Sequence, residues 1–323
     1  MQKKNFTLIN PLRNSSQIFR SKIISLNKIR KFNFSSLSSL NIPMRLKKNF
    51  YKKVELMEVK NSKYDKVILD NQISQKHLTY PTLKKFTTGS ELKENYYYIL
   101  LDNKKCKSMY LDEYVIPNKY LAIALAKEWA KQKEYVNLYS MHLNFYASSG
   151  IRMANDEGLR TQTINELSNY IETDQLCYLE NKIVDFISKE ENENIHELVE
   201  KIFNYMAFNY EINLKKSDSI VFTHHKHGHE HENLEKIKHA LSHFDPWVLA
   251  VLEQMTGTTK SICVSLALLE NLIIPKQAYL ISHSEEYYQM KKNGEVEGHH
   301  DLANELIMGK LYSGVSFHKM LYI

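Results

Sequence analysis

Residues 117–132 read PNKYLAIALAKEWAKQ and mark the point where the hydrophobic period of the chain changes. Gln132 would lie inside the apolar stripe that starts here, so burial of this stripe would require partners for its amide. The stretch predicts that a helical part of the chain begins at about residue 118. From Lys119 to Ala147, helical spacing places six apolar residues within an arc of about 80°: Leu121, Leu125, Trp129, Val136, Tyr139 and Leu143.

Further helices are predicted downstream. Asp245-Pro246 supplies a cap and a first-turn proline for the longest one, which is predicted to run unbroken from Trp247 to Asn271. Another is predicted to start at Pro275 and to continue to about Asn293. The other predicted helices cover residues 159–172, 195–209, 230–243 and 297–312.

The segment before Pro117 has the alternation and the turn residues of a β-rich unit. Asp102-Asn103 follows the last predicted strand as a turn, and residues 60–95 contain a polar stretch interpreted as an insertion. The predicted strands cover residues 50–56, 66–71 and 96–101.

The composition favours a helix-rich fold. The chain of 323 residues holds 9 glycines and 6 prolines, which is few for a protein built on turns or glycine loops. We therefore predict an α+β protein, with a small β-rich N-terminal domain over residues 49–117 and a larger all-helical domain over residues 118–323. The apolar stretch 247–272 is interrupted by polar and charged residues, so no membrane insertion is predicted.

Residues 1–48 differ from the rest of the chain in charge. They contain eleven Lys or Arg, eight Ser and no Asp or Glu, the composition of an amphipathic mitochondrial transit peptide. Because the whole chain carries only +6, the remaining residues are mildly acidic, which argues against nucleic acid as a partner. The alternative for this segment is a basic arm that binds nucleic acid or lipid.

Motifs for enzymatic chemistry are incomplete. The HExxE sequences at 196–200 and 231–235 resemble a zinc-protease motif but lack its second histidine. GTTKS at 257–261 lacks the glycine that precedes the lysine of a phosphate loop, and it is expected inside a helix, as small residues where two helices approach closely. No enzyme and no cofactor are predicted. A hydrolase with an unrecognised site is an alternative that no motif supports.

Residues 223–231, THHKHGHEH, form a histidine-rich loop in the predicted helical domain. Histidines four residues apart could chelate a divalent metal on a helix, but Gly228 weakens a helix here and the run lacks a second cluster of ligands. No metal site is therefore predicted, although a histidine-rich metal-binding protein remains the alternative function. The cysteines Cys106, Cys177 and Cys263 form no CxxC pair, so free thiols are expected.

The predicted helix after Pro275 carries a polar arc. On a continuous helix, Ser282, Glu286, Gln289 and Asn293 fall within about 60° and point away from the apolar face. Two interpretations stay open. The arc is either an ordinary solvated face or a recognition strip in which Glu286 offers its carboxylate to an Arg or Lys of a partner.

Ordered motifs along residues 49–317 resemble a known family, the assembly chaperones of mitochondrial ATP synthase that bind the alpha subunit of its catalytic head. The most specific elements are EW-x-x-Q at Glu128-Trp129 and Gln132, and EE-x-x-Q at Glu285-Glu286 and Gln289. The other matching segments are Phe50–Val54, Leu100–Lys104, Pro117–Lys127, Met141–Leu143, Asp174–Tyr178, Trp247–Leu249, Lys260-Ser261 and Ser282.

The resemblance implies a non-enzymatic chaperone of the mitochondrial matrix that covers the beta-facing surface of the unassembled alpha subunit. It also implies a partner-binding role for Glu286, with Glu285, Gln289 and Ser282 beside it. The implied structural residues are Trp129, Gln132, Glu128 and Trp247. The chain departs from the family pattern at Asn293, where a tryptophan is usual, at the Asp102-Asn103-Lys104 turn, in the extra residues between Val54 and Tyr96, and in the histidine run.

Overall fold

The computed structural model describes residues 47–60, 95–216, 228–295, 298 and 300–322. Several predictions concern residues outside these ranges. They are the targeting segment up to residue 46, the strand at 66–71, nearly all of the 60–95 insertion, and residues 223–227 of the histidine run.

The N-terminal part is a small antiparallel sheet. Its longest strands pair with Val54 opposite Leu101, and the next strand is reached through Asp102 and Asn103, both at positive φ (48° and 65°). Two consecutive residues of this kind form the turn that matches the twist of a hairpin. The strands are β1 Lys47–Lys48, β2 Val54–Lys60, β3 Asn95–Leu101, β4 Lys104–Lys105, β5 Val115–Ile116 and β6 Tyr135–Val136. In the sheet, β3 pairs with β2, β4 and β5, while β1 pairs with β6 in a separate ribbon.

The rest of the described chain is helical. The helices are α1 Lys119–Ala130, α2 His142–Asn155, α3 Glu157–Asn169, α4 Asn181–Glu191, α5 Ile195–Tyr210, α6 Gly228–Ser242, α7 Pro246–Thr259, α8 Ile262–Leu269, α9 Pro275–Ser282, α10 Ser284–Asn293 and α11 His300–Leu321. This order of a few strands followed by helices agrees with the predicted α+β class. Within the described ranges, no helix is both long and apolar enough to span a bilayer.

Helix α7 lies at the centre of the helical part, where it packs against α2, α11 and α8. Two glycines allow the closest approaches. A Cβ on Gly150 of α2 would lie 3.0 Å from the Trp247 Cα, and a Cβ on Gly314 of α11 would lie 2.8 Å from the Met255 Sδ. Helix α1 joins the two parts because it packs against β2 and β3.

One contiguous cluster of buried apolar side chains extends from Tyr51 and Ile99 beside the sheet to Leu321 at the end of α11. A second, small cluster of Tyr96 and Tyr98 covers the other face of β3. The division into two domains at residue 117 stays a prediction.

Three predicted helices are shorter than their periodicity indicates. The stripe over 119–147 is wrong as a single helix, because α1 ends at Ala130 and α2 starts only at His142. The predicted helix 247–271 breaks at Lys260, which is left-handed with φ 56°. The predicted helix 275–293 breaks at His283, whose φ of −120° and ψ of 33° are not helical. In the opposite direction, the last helix continues past the predicted residue 312 to Leu321.

Candidate partner-binding site

Helix α10 is held to the body by its tyrosine side chains. The Tyr287 hydroxyl is buried and donates to the Glu191 carboxylate at the end of α4. The Tyr288 ring meets Phe186 edge to face, with centroids 4.9 Å apart. Lys276 of α9 pairs with the same Glu191 carboxylate at 2.6 Å. These contacts fix which face of α10 points outward.

The outward face of α10 carries the exposed side chains Glu285, Glu286 and Gln289, which we call the acidic strip. The two carboxylates lie in the first turn, where the positive end of the helix dipole favours negative charge. Asn293 donates to the Gln289 side-chain oxygen at 3.1 Å. The strip therefore offers two carboxylates on a rigid helix to a cationic group of a partner.

Ser282 is not part of this strip. Its side chain is 2% exposed, and its hydroxyl donates to the Ala278 carbonyl within α9 at 2.7 Å. The break at His283 separates the two helices, so the continuous helical phase that placed Ser282 beside Glu286 does not exist. The prediction that Ser282 lies on an exposed polar arc is wrong, whereas Glu285, Glu286 and Gln289 are brought together.

His283 joins the acidic strip to a second charged residue. Its ring stacks on Tyr279, with centroids 5.3 Å apart. Burial lowers the pKa of His283, while the Glu286 carboxylate raises it and the Lys260 ammonium lowers it further. Lys260 is exposed at the left-handed break between α7 and α8. Lys260 and Glu286 thus both act on His283, a relation that the sequence periodicity did not indicate.

The EW-x-x-Q element joins α1 to α2. The Glu128 carboxylate accepts hydrogen bonds from the backbone amides of Leu143 (3.1 Å) and Asn144 (2.9 Å) in the first turn of α2. These amides have no partner within their own helix. Gln132 donates to the Glu128 carbonyl at 3.0 Å and accepts from the Asn137 amide at 2.8 Å. The amide therefore has the partners that its position required, and it turns the chain after α1.

Trp129 of α1 is buried between residues of the N-terminal, sheet-bearing part and α2. Its Nε1 donates to the Asn144 side-chain oxygen at 2.9 Å, and the same oxygen accepts from the Tyr114 hydroxyl at 2.7 Å. The Tyr51 hydroxyl donates to the Trp129 carbonyl at 2.7 Å. Asn144 is the shared acceptor that sequence reasoning missed, because a lone asparagine inside a helical pattern gives no signal. Trp247, predicted as structural, is also buried and stacks on Phe317 at 6.1 Å.

Other family motifs also make contacts within the fold. The amides of Lys52 and Lys53 donate to the Asp102 carboxylate of the hairpin turn, at 3.0 and 2.8 Å. The buried Asp174 carboxylate accepts from the Cys263 amide at 3.1 Å. By contrast, the side chains of the acidic strip are turned to solvent.

The structure offers little for metal or phosphate chemistry. In the described ranges, no group of three His, Cys, Asp or Glu side chains could hold a metal ion, and the cysteines are free. The two HExxE sequences make exposed surface pairs, His196 with Asp185 at 2.7 Å and Glu232 with Lys236 at 2.6 Å. The side chains of 224–231 lie outside the description, so the prediction of no metal site there stays a prediction.

The prediction that GTTKS at 257–261 lies inside one helix is wrong. The segment ends α7 and leads into α8. Its Lys260 amide bonds to the Thr256 carbonyl at 2.8 Å, and its Ser261 side chain caps α8 by accepting from the Val264 amide at 3.0 Å. The prediction of a close helix approach here is also wrong for Gly257, since a Cβ on it would meet nothing within 4 Å.

The chain is similar in sequence to known proteins. Residues 82–206 match the family model of the ATP12 chaperone protein. Mitochondrial protein atp12 of Schizosaccharomyces pombe is 23% identical over 244 residues, covering 73% of this chain and 82% of the relative. Mitochondrial ATP12 of Saccharomyces cerevisiae is 24% identical over 245 residues, covering 66% and 75%.

The fold also has a solved counterpart. The crystal structure of Atp12 from Paracoccus denitrificans superposes with a TM-score of 0.60 at 17% identity, over 85% of this chain and 98% of the other. The solved structure supports the fold, and the family model indicates one class of protein, the chaperones. The chain is related to the ATP12 chaperone family, which confirms the resemblance predicted from its ordered motifs. The matched residues 82–206 contain the EW-x-x-Q element and not the acidic strip.

Proposed function

We propose that this protein is a non-enzymatic assembly chaperone in the mitochondrial matrix. In this proposal it binds the unassembled alpha subunit of the ATP synthase catalytic head and shields its beta-facing surface until alpha and beta subunits join. The match to the ATP12 chaperone family supports the chaperone class. The mitochondrial names of the yeast relatives support the compartment.

The acidic strip is the observation on which the proposed site rests. A subunit that awaits its partner exposes a large interface, and such a surface promotes aggregation. A chaperone for it must bind specifically and still release the subunit. Exposed carboxylates suit this role because charges at the rim of an interface provide orientation and partner choice with little added affinity. Glu286 and Glu285 therefore provide specificity toward basic residues of the alpha subunit.

Substitution Glu286→Lys tests this role. The side chain is exposed, so the variant should fold normally, apart from a small loss because a positive charge now lies in the first turn of α10. We expect the tagged variant to recover at least several-fold less free alpha subunit than the wild type from mitochondria that accumulate unassembled chains.

Glu197→Lys is the matched control. Glu197 is also exposed and also lies in the first turn of its helix, α5, so it reproduces the charge change and the dipole effect on another surface. Recovery of alpha subunit should remain at the wild-type level. If Glu286→Lys recovers as much alpha subunit as the wild type, the acidic strip is not part of the binding site, although the proposed function would stand. Failure of the wild type to enrich alpha subunit over beta subunit would overturn the function itself.

A further inference from the structure

A cleft of about 340 Å³ opens between α3, α7 and α11, outside the site described above. It is the kind of concave surface that receives a side chain from a partner. Polar residues dominate its walls, and one glycine belongs to α7. The lining residues are Glu166, Leu167, Tyr170, Glu253, Gln254, Gly257, Thr258 and Lys310.

No contact within the described fold requires a glycine at position 257. It lies inside α7 and is exposed, and a Cβ built on it would meet nothing within 4 Å. Gly150 and Gly314 differ, because a Cβ on either would collide with α7 itself. Glycine is less favourable than alanine inside a helix. A glycine at this position, with no internal contact, leaves the helix backbone bare toward the cleft, which permits close approach from outside.

The cleft also holds two carboxylates of like charge. Glu166 of α3 and Glu253 of α7 line it together. Burial raises the pKa of Glu253, and the Glu166 charge raises it further. In the part of the chain that the structure describes, neither carboxylate forms an ion pair with a lysine or arginine. A cationic group that enters the cleft would therefore meet two acceptors and relieve their repulsion, against the opposing charge of Lys310 in the same wall.

Lys260 is a charged residue close to the cleft in sequence. This residue follows Gly257 by three positions, and its charge acts on two groups. It lowers the pKa of Lys310 in the cleft wall, where burial is the larger cause, and it lowers the pKa of His283 next to the acidic strip. The charge of Lys260 therefore acts on one group in the cleft wall and on one group beside the acidic strip.

We propose that this cleft receives an arginine or lysine side chain of the unassembled alpha subunit, with Glu166 and Glu253 as its acceptors and Gly257 leaving room for the partner backbone. The assignment rests on the proposed function. It adds a second contact surface, formed by α3, α7 and α11, to the acidic strip.

Gly257→Ala tests the cleft because it should move stability and binding in opposite directions. Alanine favours the helix and clashes with nothing in the free protein, so the melting temperature of the full chain should rise. Equilibrium binding to fluorescently labelled alpha subunit should weaken about tenfold, because the new methyl group blocks close approach. Glu253→Gln should weaken binding by a similar factor without lowering the melting temperature.

Two controls match these variants outside the cleft. Gly158→Ala changes an exposed helical glycine of α3, and Glu200→Gln removes an exposed charge from α5. Both should bind alpha subunit as the wild type does. Unchanged binding by Gly257→Ala and Glu253→Gln, with Glu286→Lys still impaired, would overturn the cleft assignment and leave the proposed function standing. A wild-type chain that binds no alpha subunit would overturn both.

Discussion

At the scale of single residues, the two most specific motifs have opposite environments. The Trp129 side chain is 7% exposed, and its polar atom is satisfied by Asn144. Glu285 and Glu286 are exposed on a helix whose other face is anchored. A residue whose groups are all satisfied inside the fold contributes to stability, whereas exposed carboxylates on a rigid element remain available to a partner.

Replacement of Trp129 by alanine should therefore reduce stability without touching the acidic strip. Removal of the buried indole leaves a cavity and deprives Asn144 of a donor, so we expect the free energy of unfolding to fall by about 3–5 kcal/mol. Urea unfolding followed by far-UV circular dichroism measures this loss. Trp129→Phe keeps most of the ring and should lose less. An unchanged urea midpoint in Trp129→Ala would show that the indole is not part of the core.

At the scale of elements, the sequence predicts where helices begin better than where they break. Asp245-Pro246 and Pro275 start helices as predicted, because capping side chains and first-turn prolines act locally. The breaks at Lys260 and His283 carry no glycine or proline. Lys260 adopts a left-handed conformation that its residue type does not signal, so the apolar periodicity continues through a position where the helix ends.

Helix breaks that periodicity does not reveal also limit how much of the site the sequence predicts. Glu286 and Gln289 lie within one helix, so their shared face follows from spacing alone, whereas Glu285 lies outside the predicted polar arc and its role is implied by the family resemblance. The polar arc includes Ser282 only if one helix continues through His283, where the helix in fact breaks. The cleft depends on three helices far apart in sequence, and no local pattern records which of their faces meet.

The Glu270 carboxylate lies at a helix end whose dipole disfavours negative charge. It is the C-cap of α8, where the helix dipole disfavours a carboxylate, and its Oε1 is buried without a hydrogen-bond partner in the described structure. Burial raises the pKa of Glu270 from its ordinary 4.5 to about 7. Between these values the folded chain binds a proton that the unfolded chain releases, so the contribution of Glu270 to stability falls as pH rises.

Glu270→Gln should therefore stabilise the protein at pH 8, by about 1–3 kcal/mol, and change much less at pH 4.5, where the Glu270 carboxyl is protonated in the folded chain and about half protonated in the unfolded chain. Burial also raises the pKa of Glu128 to about 7, so Glu128 changes the stability of both proteins over the same pH range. The free energies of unfolding of variant and wild type are therefore compared at each pH. Urea unfolding at the two pH values gives both differences. An equal difference at pH 4.5 and pH 8 would contradict the buried charge as the cause.

At the scale of the whole molecule, the question is whether the sheet and the helices unfold as one unit. The sequence predicts two domains divided at residue 117, yet one apolar cluster includes Ile99 of β3 and Trp247 of α7. The β1–β6 ribbon also ties the residues before the sheet to those after α1. Contacts of this kind favour a single cooperative transition.

Gly150→Ala tests this cooperativity from a distant position. The new Cβ would lie 3.0 Å from the Trp247 backbone, which cannot yield as a flexible side chain can, so α2 and α7 must separate and the free energy of unfolding should fall by about 1–3 kcal/mol. If the core is one unit, hydrogen-exchange protection should decrease by the same amount in β2, β3 and α7. Gly257→Ala, on the open side of α7, should show no such decrease. Sheet amides that keep their full protection in Gly150→Ala would instead establish two independently stable domains.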